Sequence, residues 1–352
     1  MMNVMKRQVN LTWVLVLTLL MGAQAQLPKG VTVTKIWDQA PHSAFTDLIW
    51  FKGAFYCSFR EGEHHVFGED GTVRVLKSVD GKSWESVAHL SAPGFDLRDP
   101  KLSITPDNRL MIIIGGSIYE GKTQKGRKPH VSFSADGKNF STPEPVTMDA
   151  DLQYWGNWIW RVTWHDGVGY AVDYQIGPEE RKGTTRIFVV KTTDGKHFSN
   201  VSALDVDGFP NESTVRFDSA GKMYVMVRRE LDDQMGVLAT STAPFTDWTY
   251  QRMNYRLGGP NFIFGEQDVI LATTRVHASE VHTGLLANKG DGATFHEILA
   301  LPSGGDNSYA GMVLKGKYLW LSYYSGHEGK SAIYLAKVPK TFIRKQLREL
   351  AD

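Results

Sequence analysis

Ser78–Trp84 reads Ser-Val-Asp-Gly-Lys-Ser-Trp, and close copies of this heptapeptide return at Ser134–Phe140 and Thr192–Phe198. Each copy follows a short apolar or alternating run, which is typical of a strand that ends in a tight turn. The Ser, Thr and Asp side chains can bond to nearby backbone, glycine can adopt positive φ, and the aromatic residue can fill the space beneath the turn. The repeat therefore predicts three equivalent β-hairpins.

Three weaker copies continue the rhythm towards the C-terminus, starting at Ser241, Asn288 and Lys337 after further apolar runs. The six anchor positions are 78, 134, 192, 241, 288 and 337. A period of roughly 40–50 residues with several short strands in each unit is typical of β-propeller blades. The chain is therefore predicted to be all-β, a six-bladed β-propeller. The lone strand Val31–Trp37 is expected to complete the last blade, so that the ring has no open edge.

The balance of charged residues limits which kinds of partner the protein is expected to bind. The chain has 39 Lys and Arg against 38 Asp and Glu, a formal net charge of +1. This balance indicates neither a nucleic-acid partner nor a membrane surface. No later apolar run is long enough for a membrane span, and we expect a monomer that binds a glycan.

The N-terminal residues 1–25 have the pattern of a cleavable signal peptide. Lys6 and Arg7 precede the apolar run Leu11–Met21, and Ala23–Ala25 is a small-x-small cleavage site. No cysteine stands at the cleavage point, so a lipid anchor is not expected and the chain is predicted to be secreted or periplasmic. Residues 26–352 are then predicted to be one propeller domain, ending in a short helical cap over Lys340–Leu350.

Polar residues at strand ends are the candidates for function, because the inner strands of a propeller converge on one mouth of its channel. Charges beside apolar strand interiors are costly unless they are paired or functional. Residue types alone leave two interpretations open, one polar pocket or a set of ion pairs between blades. The candidates are Asp47, Arg60, Arg98, Asp99, Glu212, Arg228, Arg275, Tyr309 and His327.

These turns and polar residues together resemble the sialidase (neuraminidase) superfamily, whose six-bladed propellers carry similar turns, the Asp boxes or BNR repeats. Glu212, with Arg228 sixteen residues later, is similar to the glutamate and arginine of the fourth sialidase blade. Arg275 is similar to the fifth-blade arginine, and Tyr309 to the nucleophilic tyrosine of the last blade. The resemblance implies that Glu212 activates Tyr309, while Arg228 and Arg275 bind a substrate carboxylate.

A tyrosine nucleophile has a chemical reason in that family. Its free pKa is about 10, so the hydroxyl needs a base within hydrogen-bond reach. A neutral nucleophile suits a sugar whose anomeric carbon already bears a carboxylate, since a carboxylate nucleophile would be repelled. Sialidases accordingly depart from the two-carboxylate rule of most glycosidases.

The first blade departs from the sialidase pattern. The Arg-Ile-Pro motif of its inner strand is absent, and Phe45–Leu48 stands in its place. One of the three arginines that bind the carboxylate therefore has no match. Arg60 and Arg98 are the candidates to replace it.

The acid/base residue is expected in the loop after the first hairpin, where Asp70 and Glu63 are the candidates. Asp47 and Asp99 are the alternatives outside this loop. Asp99 is also a candidate to bind substrate, as is His327, whose ring can hydrogen-bond sugar hydroxyls. His64 and His65 lack the spacing of a metal motif, and neither a metal nor a cofactor is predicted.

A cluster of aromatic residues, Tyr154–Trp160, precedes the third blade and can either stack on sugars or pack between blades. The combined hypothesis is a secreted exo-glycoside hydrolase that releases a terminal acidic sugar, sialic acid or a related one, through a tyrosine nucleophile. The alternatives are a polysaccharide lyase or other glycosidase on the same propeller, or a non-catalytic glycan-binding propeller.

Overall fold

The computed structural model describes residues 27–177, 185–288 and 292–350. The predicted signal peptide, with its cleavage site, lies outside these ranges. The strands in chain order are β1 (Thr32–Trp37), β2 (His42–Phe51), β3 (Ala54–Gly62), β4 (Thr72–Ser78), β5 (Glu85–Leu90), β6 (Asp96–Ile104), β7 (Leu110–Glu120), β8 (Thr123–Ser134), β9 (Glu144–Pro145), β10 (Thr147–Met148), β11 (Asn157–Ile159), β12 (Thr163–His165), β13 (Val168–Gln175), β14 (Arg186–Thr192), β15 (His197–Ala203), β16 (Pro210–Phe217), β17 (Met223–Arg229), β18 (Met235–Ser241), β19 (Thr249–Arg256), β20 (Asn261–Phe264), β21 (Ile270–Val276), β22 (His282–Asn288), β23 (His296–Leu301), β24 (Asn307–Lys315), β25 (Tyr318–Ser325) and β26 (Ala332–Pro339).

These strands form six sheets, and the predicted six-bladed β-propeller is confirmed. Blades one, two, four and five are four-stranded and follow the chain, as β2–β5, β6–β9, β16–β19 and β20–β23. Blade three is larger, because β10 pairs in parallel with β15, and both β11 and β12 pair with β13.

The N-terminal strand closes the ring in the predicted way. Blade six has the order β1-β26-β25-β24. β1 runs antiparallel to β26, with Thr32 opposite Lys337 and Thr34 opposite Leu335. The first and last strands of the described chain therefore lie in one sheet, and each of them is paired with the other.

Among the described residues, two short helical segments lie outside the blades, a 3₁₀ turn at Glu266–Asp268 and the helix α1 at Lys340–Glu349. Ile343 is the buried residue of α1. Arg344 makes a forked ion pair with Glu266, at 2.9 and 2.5 Å. In the part of the chain that the structure describes, no helix has the length and apolar character needed to cross a membrane.

The three strong repeats share one set of hydrogen bonds. In the first turn the Gly81 amide donates to Ser78 Oγ at 2.9 Å, and the next two amides donate to Asp80 Oδ1 at 2.8 and 3.0 Å. Asp136 and Asp194 accept the same pair of amides in the later turns. Amides directed at a carboxylate favour its charged form, and they hold the pKa of Asp136 far below its usual range.

Each of these turns also packs against the second strand of the preceding blade. Its glycine has positive φ, from +72° to +75°, and comes so close to the neighbouring blade that an added Cβ would lie under 3.0 Å from a side chain there. The repeat is therefore a contact between blades as well as a turn within one. The pairs are Gly81 with Trp320, Gly137 with Tyr56, and Gly195 with Met111.

Gly137→Ala should destabilise the propeller more than Gly94→Ala does. Both glycines have similar φ, +74° and +78°, but only Gly137 faces a neighbouring side chain, and space is open at Gly94. The left-handed conformation costs alanine about 1–2 kcal/mol at either site. Overpacking against Tyr56 should add about 1–3 kcal/mol at Gly137 alone. Urea unfolding of both variants gives the comparison, and equal losses would argue against a role of this turn in joining blades.

Candidate active site

Four inner strands carry one extra residue each, one to four positions after they begin. The pairing with the second strand shifts between Ala44 and Asp47, Arg98 and Lys101, Pro210 and Ser213, and Ser308 and Gly311. A bulge of this kind bends the strand and re-aims a side chain.

One residue from each of these bulges lies at the same place. Phe45, Asp99, Glu212 and Tyr309 all line a single cavity of about 190 Å³. Three of them have positive φ, namely Phe45 at 62°, Asp99 at 49° and Tyr309 at 53°. Such backbone costs of order 1–3 kcal/mol per residue and is concentrated at functional sites. The cavity is therefore the candidate active site, and its lining is Phe45, His65, Arg98, Asp99, Ser117, Tyr119, Gln124, Arg127, Trp158, Tyr174, Glu212 and Tyr309.

Tyr309 and Glu212 are directly hydrogen-bonded. The phenol donates to Glu212 Oε1 at 2.5 Å. Glu212 Oε2 accepts from Arg228 Nη1 at 2.5 Å and from the Gly259 amide at 3.0 Å. Arg228 Nη1 also lies 3.1 Å from the Tyr309 oxygen. The structure thus brings three predicted site residues from blades four and six into one buried network.

The charges of this network follow from its surroundings. Burial and then the charge of Glu212 raise the pKa of Tyr309 well above its ordinary value. Burial alone would raise the pKa of Glu212 too, but Arg228 and the Tyr309 hydrogen bond outweigh it and hold that pKa below the usual range. At neutral pH the pair is therefore a protonated phenol and an ionised carboxylate.

Arg275 lies near Tyr309, with its Cζ 6.0 Å from the centre of the phenol ring. Its Nη2 donates to Asp306 Oδ1 at 2.9 Å and to the Asn307 carbonyl at 2.7 Å. Arg228 has a second acidic partner in Glu230. Both arginines are thus held in place by the protein's own oxygen acceptors.

Asp99 is the acidic residue of the cavity besides Glu212. It is 8% exposed, and its Oδ1 has no hydrogen-bond partner among the described residues. Burial raises the pKa of Asp99, and the nearby charge of Glu212 adds to this effect, while Lys101 and Arg98 oppose it. Burial also lowers the pKa of Lys101 to about 8. A carboxyl that tends to hold its proton beside a cavity is suited to general-acid catalysis.

Arg98 reaches the cavity, but it carries internal contacts of its own. Its Nη2 donates to the His65 carbonyl at 2.9 Å. Its guanidinium stacks 5.1 Å from the centre of the Phe45 ring. Phe45 therefore occupies the place on blade one where the sialidase pattern has an arginine, and Arg98 of blade two packs over its ring.

Arg60 does not reach the cavity, which corrects its predicted role as a substitute arginine. Its side chain is wholly buried, with Nε 2.9 Å from Asp96 Oδ1 and Nη1 2.8 Å from the His64 carbonyl. The guanidinium ties the first loop to blade two. An arginine at a strand end can either bind substrate or form a buried ion pair. The burial of Arg60 shows that it does the second.

Asp47 is also structural rather than catalytic. It is 1% exposed, and its Oδ2 accepts from Arg161 Nη1 at 2.6 Å and from the Leu102 amide at 2.7 Å. It thus connects blades one, two and three, and it is not among the residues that line the cavity. The bulge at Phe45 shifts the alternation of side chains in β2, which a regular strand would not do.

The remaining loop candidates lie outside the cavity lining. Asp70 and Glu63 are exposed, and Glu63 accepts from the Glu69 amide within its own loop. His327 lies in the connection between β25 and β26, and its ring packs on that of Tyr334 at 4.9 Å. Of the four acid/base candidates, Asp99 is the one that lines the cavity.

Sequence reasoning missed several wall residues. Tyr119, Gln124 and Arg127 come from the β7–β8 hairpin, which is longer than most others, and no motif signals them. Trp158 of the predicted aromatic cluster does line the cavity, while Trp160 packs on Tyr309 at 5.9 Å.

Arg60→Met should destabilise the fold by about 3–5 kcal/mol, because it leaves Asp96 buried without its partner. The matched control is Lys125→Met, which removes the exposed pair with Glu120 and should cost less than about 1 kcal/mol. Thermal and urea unfolding measure both. A stable Arg60→Met protein with weakened ligand binding would instead return Arg60 to the binding site.

Comparison with known proteins places this geometry on a known fold. No protein-family model matches the chain, and no curated protein does. Among solved structures, a protein of unknown function from Dyadobacter fermentans is 19% identical, with a TM-score of 0.76 over 89% of this chain and 100% of that one. The fold is that of a sialidase-like propeller.

Two glycosidases share this fold. The Trypanosoma rangeli sialidase is 13% identical, with a TM-score of 0.71 over 91% of this chain and 61% of that one. An α-L-arabinofuranosidase from Fusarium graminearum is 13% identical, with a TM-score of 0.66 over 88% and 98%. This chain spans about three fifths of the length of the sialidase, and at these identities the likeness concerns the fold.

Proposed function

We propose that this protein is a retaining exo-glycoside hydrolase that releases a terminal acidic sugar, sialic acid or a related one, with Tyr309 as the nucleophile. The observation that carries the proposal is the 2.5 Å hydrogen bond from Tyr309 to Glu212 at the wall of the cavity. The sialidase and the arabinofuranosidase among the structural neighbours support a glycosidase.

In the first step the Tyr309 oxygen attacks the anomeric carbon as its proton passes to Glu212. The bond from the anomeric carbon to the leaving oxygen breaks, and Asp99 gives its proton to that oxygen. The raised pKa of Tyr309 makes a free phenolate scarce, so proton transfer must accompany attack. The product of this step is a glycosyl–tyrosine intermediate.

In the second step water attacks the same carbon and loses a proton to the Asp99 carboxylate. The bond to the Tyr309 oxygen breaks, and Glu212 returns its proton to the phenolate. Two displacements restore the enzyme and retain the configuration at the anomeric carbon. The sugar leaves with a hydroxyl derived from water.

An acidic sugar is supported by two features of the site. A neutral tyrosine is suited to an anomeric carbon that bears a carboxylate, which would repel an anionic nucleophile. Arg228 Nη1 lies 3.1 Å from the Tyr309 oxygen, and Arg275 Cζ lies 6.0 Å from the centre of its ring. Both guanidinium groups can offer forked, charge-assisted hydrogen bonds. The cavity is smaller than the roughly 300–1,000 Å³ of pockets for drug-sized ligands, which favours a single terminal residue. Export by the predicted signal peptide is part of the proposal.

Tyr309→Phe should lower kcat/KM by at least about a hundredfold, the low end for loss of a group that takes part in proton transfer. The assay is a panel of glycosides, headed by a fluorogenic sialoside, with product masses read by mass spectrometry. Tyr323→Phe is the matched control, since its hydroxyl bonds only the Pro302 carbonyl, at 2.8 Å, among the described residues.

The product mass separates the alternatives. A hydrolase adds water, a lyase leaves an unsaturated sugar, and a binding protein yields no product. A Tyr309→Phe enzyme that keeps most of its activity would rule out the nucleophile.

Asp99→Asn should lower the rate by about a hundredfold or more on substrates with a sugar leaving group. The loss should be much smaller on activated aryl glycosides, whose leaving groups need little protonation. Because the raised pKa keeps Asp99 protonated to higher pH than an ordinary aspartate, the activity should fall as pH rises through that pKa. The variant should lack this limb of the pH–rate profile.

Asp70→Asn is the control and should leave both the rate and the pH profile unchanged. An equal loss on both classes of leaving group in Asp99→Asn would contradict the acid role.

A further inference from the structure

Two histidines and one aspartate meet beside the cavity, at the seam between blades one and six. His42 begins β2, His65 lies in the loop after β3, and Asp306 directly precedes β24. One possible ligand atom from each lies within 4.8 Å of the others. We propose that these three side chains bind a divalent transition-metal ion, with Zn²⁺ as the best match.

The donor set favours this class of metal. Two imidazole nitrogens and one carboxylate oxygen are ligands that Zn²⁺ and neighbouring transition metals prefer, whereas Mg²⁺ and Ca²⁺ prefer oxygen. Three protein ligands, the number in this cluster, leave a coordination position for water or substrate, as in catalytic zinc sites. The wall of the cavity includes His65, so that open position is within reach of a bound ligand.

The distances require only a small adjustment. Ligands about 2.0–2.1 Å from a tetrahedral zinc ion lie about 3.3 Å from each other. His42 Nε2 is already 3.5 Å from Asp306 Oδ2. His65 Nδ1 is 2.6 Å from the same oxygen, so it must move back by less than about 1 Å to admit the ion. Its side chain is 46% exposed and sits in a loop, which leaves room for that movement.

The second oxygen of Asp306 is held by a separate set of donors. Oδ1 accepts from Arg275 Nη2 at 2.9 Å and from the Tyr324 hydroxyl at 2.6 Å. Oδ2 is thereby left to the two histidines. Outer hydrogen bonds of this kind orient a ligating carboxylate in known metal sites. The site thus has ligands, an open position and orienting partners.

The position of the cluster suggests what the ion does, and this part rests on the proposed function. Blade one presents Phe45 where a third cation would be needed, and the Phe45 ring lies 5.1 Å from His65 and 5.1 Å from Tyr309. Without a metal, the charge of Asp306 offsets that of Arg275. A bound divalent ion would make this side of the site net positive, as recognition of a substrate carboxylate requires.

The test measures metal binding without substrate. The tag-free chain is stripped with a chelator, dialysed and titrated with ZnCl₂ by calorimetry, with metal content read by mass spectrometry. We expect one ion per chain, and loss of His65 or Asp306 as a ligand should weaken binding at least about tenfold. His64→Ala is the matched control, because this neighbouring exposed histidine is outside the cluster.

Co²⁺ gives a second measurement, since its visible absorption reports coordination, and the spectrum should be lost in His65→Ala but kept in His64→Ala. No stoichiometric binding, or equal binding by His65→Ala and the unmodified chain, would overturn the site. Asp306→Asn is compared only if it unfolds like the unmodified chain. If it does not, His65→Ala alone decides whether the site exists.

The role of the ion is tested separately from its binding. Sialoside turnover by the stripped enzyme should fall at least about tenfold and recover with Zn²⁺, mainly through KM. Binding without any effect on KM would overturn the role in carboxylate recognition and leave the metal site intact. Absence of turnover of every glycoside in the panel, with and without Zn²⁺, would contradict the proposed function alone.

Discussion

One extra residue in each of four inner strands determines what this propeller presents at its channel mouth. A regular strand alternates its side chains between two faces, and a single insertion reverses that alternation. The four bulges place Phe45, Asp99, Glu212 and Tyr309 on one cavity, although they come from four separate blades. The unusual backbone at three of these positions persists because the packed ring around them fixes their conformation.

The backbone of the four bulges fixes where these side chains begin, so their relative positions depend little on rotamer changes. Tyr309 is packed between Phe45 and Trp160, and its hydroxyl is held by Glu212 and Arg228. A buried phenol beside a buried carboxylate has one stable arrangement of charge, in which the proton stays on the phenol. Such preorganisation favours a reaction in which the proton moves only as a new bond forms.

The fold was predictable because its signal is local and repeated. The turn must bond an aspartate to two amides and bring a glycine against the preceding blade. Few sequences meet both requirements, so the turn can be recognised wherever it recurs. The site was only partly predictable. Tyr309, Glu212 and Arg228 were identified by resemblance, whereas Asp47 and Arg60 were assigned to the wrong environment. The sequence of a strand end is the same whether its charged side chain faces a cavity or a buried partner. A bulge also reverses which side chains face the cavity, so regular alternation predicts the wrong face.

The pairing of β1 with β26 joins strands from the two ends of the described chain. β1 is therefore the earliest of the described strands to be made, and it pairs with the latest of them. The neighbouring strands of blades one, two, four and five can pair as soon as they emerge, since each follows its partner in the chain. Blade six cannot form until synthesis reaches β26, and until then the circle of blades has a gap. Closure of the ring is therefore the latest pairing event among the described blades, because it requires both β1 and β26.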